Sequence, residues 1–331
     1  MNDITARVAE RRDEADGVFS LELVDASGAA LPPWTPGAHI DVGVGAAGVR
    51  QYSLCGDPAD RSRWRIAVLH EPAGRGGSDH LYRTATPGAL LPVSRPRNNF
   101  ELVAAPEYLF LAGGIGITPI LPMTAAAVAA GARWTLCYGG RTRTHMAFAD
   151  TLAARYPQVS LRPQDETGLL PITELFDRHP GAVVYCCGPE PLLDAVRAEG
   201  ARRGAEVHVE RFAPRPVAPA EDRAFEIRLA GDGRTFRVAP GQSIVDVLEA
   251  AGVGVLTSCR EGTCGSCETG VLAGAGGGGR AGGAREPGRP PPPPPRGGEA
   301  RPERRQHIEE RAQLGVGAGQ PALVSDRARQ L

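Results

Sequence analysis

A glycine-rich turn between an apolar run and an alanine-rich run constrains the architecture of the middle of this chain. The run YLFLA at 108–112 enters the turn GGIGITP at 113–119, and LPMTAAAVAAGA follows at 121–132. A short apolar run that ends in glycine is typical of a buried strand, and alanine favours helix. The later runs RWTLCYGG, VSLRPQ and AVVYCCG continue the alternation. This pattern predicts an α/β domain with a parallel sheet over residues 103–212.

The segments on either side of this predicted α/β domain have different residue patterns. In residues 1–102, short runs such as VFSLELVD, HIDVGV and RWRIAVLH are separated by glycine and proline, which predicts a small antiparallel β-barrel. Residues 213–224 are proline-rich and predict a linker. Residues 225–274 begin with the hairpin pattern FEIRLA, GDG, TFRVA and continue into a helical run, which predicts a third module.

The composition of residues 275–331 changes to Gly, Ala, Arg and Pro, with few apolar residues to form a core. We expect this segment to be a disordered, low-complexity tail. The chain contains no lysine, a bias expected of GC-rich coding DNA. A frame change near codon 275 is the simplest account of the tail, and a natural low-complexity extension is the alternative.

Charge and hydropathy exclude several classes of partner. The formal net charge of −1 argues against nucleic acid or an anionic membrane as the main partner. No apolar run reaches the roughly 18 residues of a membrane span, and the polar start lacks the apolar region of a signal peptide. We therefore expect a cytoplasmic protein that does not bind membranes, and we expect a monomer.

Three cysteines lie close together in TSCREGTCGSCETG, as Cys259, Cys264 and Cys267. Their x4 and x2 spacing is that of the loop of a plant-type 2Fe-2S site, and a zinc knuckle or chance cysteines are the alternatives. A four-thiolate cluster needs a fourth cysteine, and none follows Cys267 in the sequence. Residues 225–274 resemble a plant-type ferredoxin, which implies an incomplete β-grasp module with an unfinished cluster site.

The predicted barrel contains two motifs. The run RQYSL at 50–54 matches the R-x-Y-S-L signature of the flavin domain in the ferredoxin-reductase superfamily, and GRGGS at 74–78 begins a predicted helix. A glycine turn at a helix start presents bare amides to a phosphate. The resemblance implies FMN as the cofactor, with these binding residues: Arg50 for phosphate, Tyr52 for ring stacking, Ser53 as a catalytic residue near flavin N5, and Gly76, Gly77 and Ser78 at the phosphate turn. An ordinary surface arginine with a packed tyrosine, and an ordinary loop, remain the alternatives.

The second domain contains the partner motifs. The turn GGIGITP follows a strand and precedes a helix, so it suits a dinucleotide pyrophosphate, although it is not the G-x-G-x-x-G of a standard dehydrogenase. In the resembled superfamily this turn and the C-G-P stretch at 187–189 form the nicotinamide side. The residues implied are Gly113, Gly114, Gly116, Thr118, Pro119, Cys187 (catalytic and cofactor-binding), Gly188 and Pro189. A buried thiol without a role is the alternative for Cys187, and Cys186 is predicted to be a core residue.

The order of the three modules resembles the phthalate dioxygenase reductase family, which includes vanillate demethylase reductases. That resemblance implies that NADH reduces FMN and that a 2Fe-2S centre passes single electrons to a terminal Rieske-type oxygenase. Arg141 and Arg143 leave the choice between NADH and NADPH open, since a solvated surface pair is equally consistent. The alternative functions are a stand-alone flavin or ferredoxin reductase without a working cluster, and a non-enzymatic docking protein with a degenerate reductase fold.

Overall fold

The computed structural model describes residues 4–212, 223–255, 257, 267, 269–270 and 322–324. It divides into two compact units, Met1–Pro214 and Arg215–Leu331. The first unit contains two sheets and the second contains one. Along the described ranges, no helix is both long enough and apolar enough to cross a membrane.

The first sheet of unit one is antiparallel throughout. Its strand order is β4-β3-β6-β1-β2-β5, and β7 pairs with β3. The strands are β1 (Ile4–Ala15), β2 (Val18–Asp25), β3 (Ala38–Gly43), β4 (Val49–Ser53), β5 (Trp64–Leu69), β6 (Leu90–Val93) and β7 (Arg97–Asn98), and helix α1 (Gly77–Thr84) lies between β5 and β6. The predicted antiparallel sheet is confirmed.

Alternation of side chains explains how this sheet forms its core. Successive residues of a strand point to opposite faces, so every second residue can be apolar and buried. In β2, Phe19, Leu21 and Leu23 are buried against Trp64 and Ile66 of the neighbouring β5. An isolated antiparallel bridge also joins Leu54, just after β4, to Ile66 of β5, the strand at the other end of the sheet order.

The second sheet is five-stranded and parallel, with the order β10-β9-β8-β11-β12. Its strands are β8 (Glu107–Gly113), β9 (Arg133–Gly140), β10 (Val159–Pro163), β11 (Val183–Cys187) and β12 (Val207–Glu210). The helices between them are α2 (Ile117–Ala129), α3 (Ala149–Arg155), α4 (Gln164–Thr167), α5 (Ile172–Arg178) and α6 (Glu190–Arg203). The predicted parallel sheet is confirmed.

The central strand β8 shows why strands of this sheet have continuously apolar sequences. Strands of a parallel sheet are covered on both faces, and both sets of side chains are then buried. Phe110 and Ala112 join the core beneath α2, whereas Leu109 and Leu111 join the core beneath α5 and α6. The two faces together account for the buried run YLFLA that the sequence displays.

The second unit contains a hairpin and a short helix. Strands β13 (Phe225–Leu229) and β14 (Thr235–Val238) pair antiparallel, which confirms the predicted hairpin. Helix α7 (Ile244–Ala250) follows, and the Ser243 side chain caps it by accepting from the Asp246 amide at 3.0 Å. Ile227, Leu229, Val238 and Leu248 form the main part of its small core.

A third strand, β15 (Ala322–Val324), pairs parallel with β13. The sequence prediction assigned no strand here, because three apolar residues in a Gly- and Pro-rich segment are too few to show a strand period. An open sheet edge supplies backbone partners that no local pattern reveals. The remainder of the predicted tail lies outside the described residues.

Candidate functional site

The N-terminus of α1 forms one part of the site. Gly76 precedes the helix with φ 79, a left-handed conformation that glycine adopts without a steric penalty. Among the residues that the structure describes, no side chain caps the first turn, so its amides remain available to an external acceptor. The Ser78 hydroxyl accepts from the Glu71 amide at 3.0 Å and keeps its own hydrogen for donation. This turn is arranged for an anion.

Arg50 on β4 lies against the same helix end. Its Nη1 donates to the Ala47 and Val49 carbonyls at 2.9 and 2.8 Å, and its Nη2 donates to the Arg75 carbonyl at 3.1 Å. A Cβ placed on Gly77 would lie 2.6 Å from the Arg50 Cγ, so only glycine permits this approach. The structure therefore brings two separate sequence motifs together and sets a guanidinium beside the positive end of a helix. The two positive groups together suit a phosphate.

Tyr52 and Ser53 complete the predicted set on β4. Strand alternation places Tyr52 on the same face as Arg50 and places Ser53 on the other. Tyr52 packs against the core of the sheet. Burial raises the pKa of its phenol to about 12, although the Arg50 charge opposes this rise, so the hydroxyl stays protonated. Ser53 is 5% exposed, and its backbone pairs opposite His39.

The second part of the site is a contact between two glycine turns. A Cβ on Gly116 would lie 2.2 Å from the Cys187 carbonyl oxygen, and a Cβ on Gly188 would lie 3.0 Å from the Gly113 Cα. A Cβ on Gly113 would approach the Pro189 Cδ to 2.7 Å. The turn GGIGITP and the stretch C-G-P therefore touch backbone to backbone at the carboxyl ends of β8 and β11.

These adjacent strands form the topological switch point of the sheet. After β8 the chain enters α2 on one face, where Ile120 packs with Phe110. After β11 it enters α6 on the other face, where Leu193 and Val196 are buried. A crevice at such a switch point is the usual ligand site of an open α/β sheet.

Thr118 and Pro119 fix the start of α2 rather than pointing a reactive group outward. The Thr118 Oγ1 donates to the Ile115 carbonyl at 3.0 Å, and both residues are buried. Proline fits the first turn because that amide lacks an intrahelical acceptor. Gly114 has φ 55, which favours glycine. The turn thus exposes backbone amides near the helix N-terminus.

Cys187 is completely buried at the end of β11. Burial raises the pKa of its thiol well above the usual range, and the neighbouring Glu210 carboxyl adds to this rise. The thiol is therefore neutral at pH 7 and does not act as a thiolate nucleophile. Cys186 is buried in the core on the opposite face, as predicted.

Sequence reasoning missed Glu210. It lies opposite Cys187 in the β11–β12 register, and the Cys187 Sγ is 4.0 Å from its Oε2. Desolvation raises the pKa of the Glu210 carboxyl to about 8, although part of the residue's surface still reaches solvent. The one feature of the sequence that could have indicated Glu210 is its position at the end of the strand that follows the C-G-P stretch.

Arg141 and Arg143 follow β9 at the same edge of the sheet. Arg143 pairs with Asp150, with 2.5 Å between Nη2 and Oδ1, and both side chains are largely exposed. Arg141 is exposed, and its carbonyl accepts from the Asp165 amide at 3.2 Å. Arg143 therefore already has an acidic partner.

Most of the cysteine loop lies outside the described residues. Cys259 and Cys264 lie outside the described residues, and Cys267 is partly exposed. Among the residues that the structure describes, no group of three or more His, Cys, Asp or Glu side chains could hold a metal ion. The sequence has three cysteines here and none after Cys267, which does not fit the four thiolates of a plant-type 2Fe-2S cluster.

Comparison with known proteins identifies the family. A family model described as a 2Fe-2S iron-sulfur cluster binding domain matches residues 227–287. Phenoxybenzoate dioxygenase subunit beta of Ectopseudomonas oleovorans is 42% identical over 278 residues, which cover 83% of this chain and 87% of the relative. Phthalate dioxygenase reductase of Burkholderia cepacia is 37% identical over 276 residues, covering 81% and 86%. The chain belongs to the phthalate dioxygenase reductase family.

Solved structures support this assignment. A phthalate dioxygenase reductase, described as modular for electron transfer from pyridine nucleotides to 2Fe-2S, matches with a TM-score of 0.65 and 37% identity, covering 82% of this chain and 87% of that chain. An intact type IV self-sufficient cytochrome P450 monooxygenase matches with a TM-score of 0.72 and 41% identity, and the match covers 82% of this chain and 36% of that longer chain. As a phthalate dioxygenase reductase family member, the protein is a flavoprotein oxidoreductase of an electron-transfer system.

Proposed function

We propose that this protein is the reductase component of a two-component system, taking electrons from NADH through FMN for a terminal Rieske-type oxygenase. The observation that carries the proposal is the presence in one compact unit of an anion site at Arg50 and α1 and a dinucleotide crevice at the contact of Gly116 with Cys187. Support for the oxygenase partner comes from the relatives, which are named as reductase components of oxygenases.

In the flavin module, each residue has a separate task. Arg50 and the first amides of α1 bind the FMN phosphate. Tyr52 would offer the flat face of its ring for stacking. Ser53 would donate its hydroxyl hydrogen to the flavin N5 region, as its position in the family motif implies. The bridge from Leu54 to Ile66 supports closure of this sheet into a barrel. When bound, the flavin converts the electron pair of a hydride into single electrons.

In the nicotinamide module, the backbone performs most of the binding. The amides of the turn from Gly113 to Gly116 bind the pyrophosphate, and Gly188 and Pro189 leave room for the nicotinamide ring. The Cys187 thiol is neutral and buried, so it would border the nicotinamide site without presenting a charge. Glu210 holds a proton beside Cys187 at neutral pH, since its pKa of about 8 lies above that pH.

A specific observation favours a second candidate function. Because the cysteine set is short of four thiolates, a stand-alone NADH-dependent flavin reductase without a working cluster also fits this chain. The two candidates share every step up to reduced flavin and differ only in electron delivery to an oxygenase. We further propose that the protein acts as a monomer in the cytoplasm, where its electron donor NADH is found.

The test begins with the purified full-length protein. Flavin released by heat is identified by mass spectrometry, and NADH oxidation is followed with ferricyanide as the acceptor. We expect FMN and NADH-dependent ferricyanide reduction, because both cofactor motifs belong to unit one. A folded protein that retains no flavin would contradict the proposal.

A further inference from the structure

Phe148 has an unusual backbone conformation. Its φ is 64°, and among the residues that the structure describes no other non-glycine residue has a positive φ. It occupies the N-cap position of α3, which begins at Ala149. A bulky side chain in the left-handed region is strained, and such strain persists only where the surroundings hold it in place.

The Phe148 ring packs against residues of both modules, and the cation above it comes from the flavin module. The Arg65 guanidinium of β5 lies over that ring, with its Cζ 5.0 Å from the ring centroid. Arg65 is itself fixed, because its Nη2 is 2.5 Å from Glu14 Oε1, which also accepts from Ser20 Oγ at 2.5 Å. The Arg65 Nη2 also lies 3.3 Å from Ser20 Oγ, so polar groups of the flavin module hold the edge of the guanidinium while its face stacks on the ring. We call Phe148, Arg65 and Glu14 the Phe148 clamp.

An apolar cluster surrounds the clamp and crosses the boundary between the two modules. Its members from the flavin module are Ala15, Val18, Cys55, Ala67 and Leu69, and its members from the nicotinamide module are Ile115, Leu121, Ala147 and Phe148. The Asp16 amide also donates across the boundary to the Thr144 carbonyl at 2.8 Å. Ile115 belongs to the nucleotide turn, so this interface joins β5 directly to the turn that binds the dinucleotide.

Hydride transfer depends on the separation of two groups that different modules hold. Reacting atoms must approach to about 3–3.5 Å, and an error of about 1 Å is enough to slow a reaction by two orders of magnitude. The flavin phosphate site lies in one module and the nucleotide turn in the other. Contacts at the interface between the modules therefore set the relative placement of these two sites. Phe148, which is strained, lies at that interface and is held there by Arg65.

From this geometry we infer that Phe148 is a positioning residue, held by Arg65, which sets the placement of the nicotinamide module against the flavin module for hydride transfer. The inference rests on the proposed NADH-to-flavin reaction. Phe148 touches no reacting atom in this account, so its loss changes the rate of transfer and leaves cofactor binding in place.

The test uses three variants of the full-length holoprotein. Phe148→Gly removes the ring and suits φ 64, Phe148→Leu keeps most of the volume, and Phe148→Tyr keeps the ring. Anaerobic stopped-flow absorbance at saturating NADH gives the rate constant of flavin reduction, and the NADH concentration dependence gives the dissociation constant. We expect Phe148→Gly and Phe148→Leu to slow reduction about tenfold or more. Phe148→Tyr, flavin content and NADH affinity should stay within about twofold of wild type.

Controls separate positioning from general damage. Phe236→Leu alters a similar ring in the other compact unit, where Arg234 Cζ lies 5.6 Å from the Phe236 ring centroid. This variant should leave the rate of flavin reduction unchanged. Photochemical reduction of the flavin bypasses the nicotinamide and should be equal in all variants. If Phe148→Gly does not fold, Phe148→Leu provides the measurement. Wild-type rates in Phe148→Leu, or slowing that follows flavin loss, would overturn the inference; a wild-type protein that NADH cannot reduce would instead overturn the proposed function.

Discussion

The Cys187 carbonyl oxygen would lie only 2.2 Å from a Cβ on Gly116, so the two turns that form the nicotinamide crevice touch without room for a side chain. Strands β8 and β11 are neighbours in register, with Ala112 opposite Cys187, and this pairing brings the turns together. The close approach leaves the amides at the start of α2 facing the crevice. Glycine at position 116 is therefore needed for the packing of the two turns and, under the proposed function, for the binding of the dinucleotide.

Gly116→Ala is expected to lower stability and to weaken NADH binding. The new methyl group would meet backbone atoms, which cannot rotate away, so we expect a loss of about 1–3 kcal/mol in the free energy of unfolding. Urea unfolding and NADH titration by fluorescence quenching measure the two effects. Gly181→Ala is the matched control, because a Cβ there meets nothing within 4 Å and the residue has no positive φ. Equal behaviour of the two variants would contradict the prediction.

Arg50→Gln is expected to weaken flavin retention. The change removes the positive charge beside the N-terminus of α1, and a charge-assisted hydrogen bond contributes about 1.5–3 kcal/mol, or roughly a tenfold to hundredfold change in affinity. Flavin dissociation is measured by recovery of flavin fluorescence on dilution. Arg63→Gln is the control, since Arg63 lies just before β5 of the same sheet and pairs with Glu22 of β2 at 2.7 Å. Unchanged flavin affinity in Arg50→Gln would show that this arginine only supports the loop through the Ala47 and Arg75 carbonyls.

The sequence predicted the elements of this site better than it predicted their surroundings. Strand β8 and its turn are local features, since an apolar run bounded by glycine shows both the buried strand and the start of α2. Glu210 and Phe148 are different, because their roles come from partners distant in the chain. Glu210 is buried by the pairing of β12 with β11, and the Phe148 ring lies beneath Arg65, which is 83 residues away in the chain. No spacing pattern encodes such contacts.

The stability of the protein is expected to fall as pH rises from about 4.5 to about 8 because of Glu210. Desolvation raises its folded pKa to about 8 from the ordinary carboxyl value of 4.5, so within this window the folded state binds a proton that the unfolded state lacks. Stability is then fully present below the unfolded pKa and is lost as pH rises through the folded value. We expect a decrease of roughly 2 kcal/mol, reduced from the full shift because Glu210 is partly exposed. Urea unfolding between pH 5 and 9 measures this slope, and Glu210→Gln should remove it.

NADH is expected to be preferred over NADPH. The Arg143 guanidinium already pairs with Asp150 at 2.5 Å, so a 2'-phosphate would have to displace that carboxylate. Asp150→Asn should raise kcat/KM for NADPH several-fold while leaving that for NADH unchanged. Glu174→Gln is the matched control, because it breaks another exposed pair, with Arg178, in the same module. A wild-type preference for NADPH, lowered by Arg143→Ala, would reverse this conclusion.

The cysteine loop is expected to hold a 2Fe-2S cluster weakly or not at all. Four thiolates hold a plant-type cluster, whereas the sequence supplies Cys259, Cys264 and Cys267 and no later cysteine. One coordination position of an iron ion would then be filled by water or by a weaker side-chain ligand. The flavin and nicotinamide sites lie in the other compact unit, so reduction of ferricyanide by NADH should persist.

Iron and acid-labile sulfide per chain are the direct measurements, made together with NADH-dependent turnover of a phthalate-type oxygenase. The Burkholderia cepacia relative, prepared in parallel, is the reference for a complete cluster. We expect well below two irons per chain, and oxygenase-coupled turnover at least tenfold slower than the reference, alongside comparable ferricyanide rates. Two irons and two sulfides per chain with intact coupled turnover would show that a residue other than cysteine completes the site, and substitution of candidate ligands in 268–331 would then locate it.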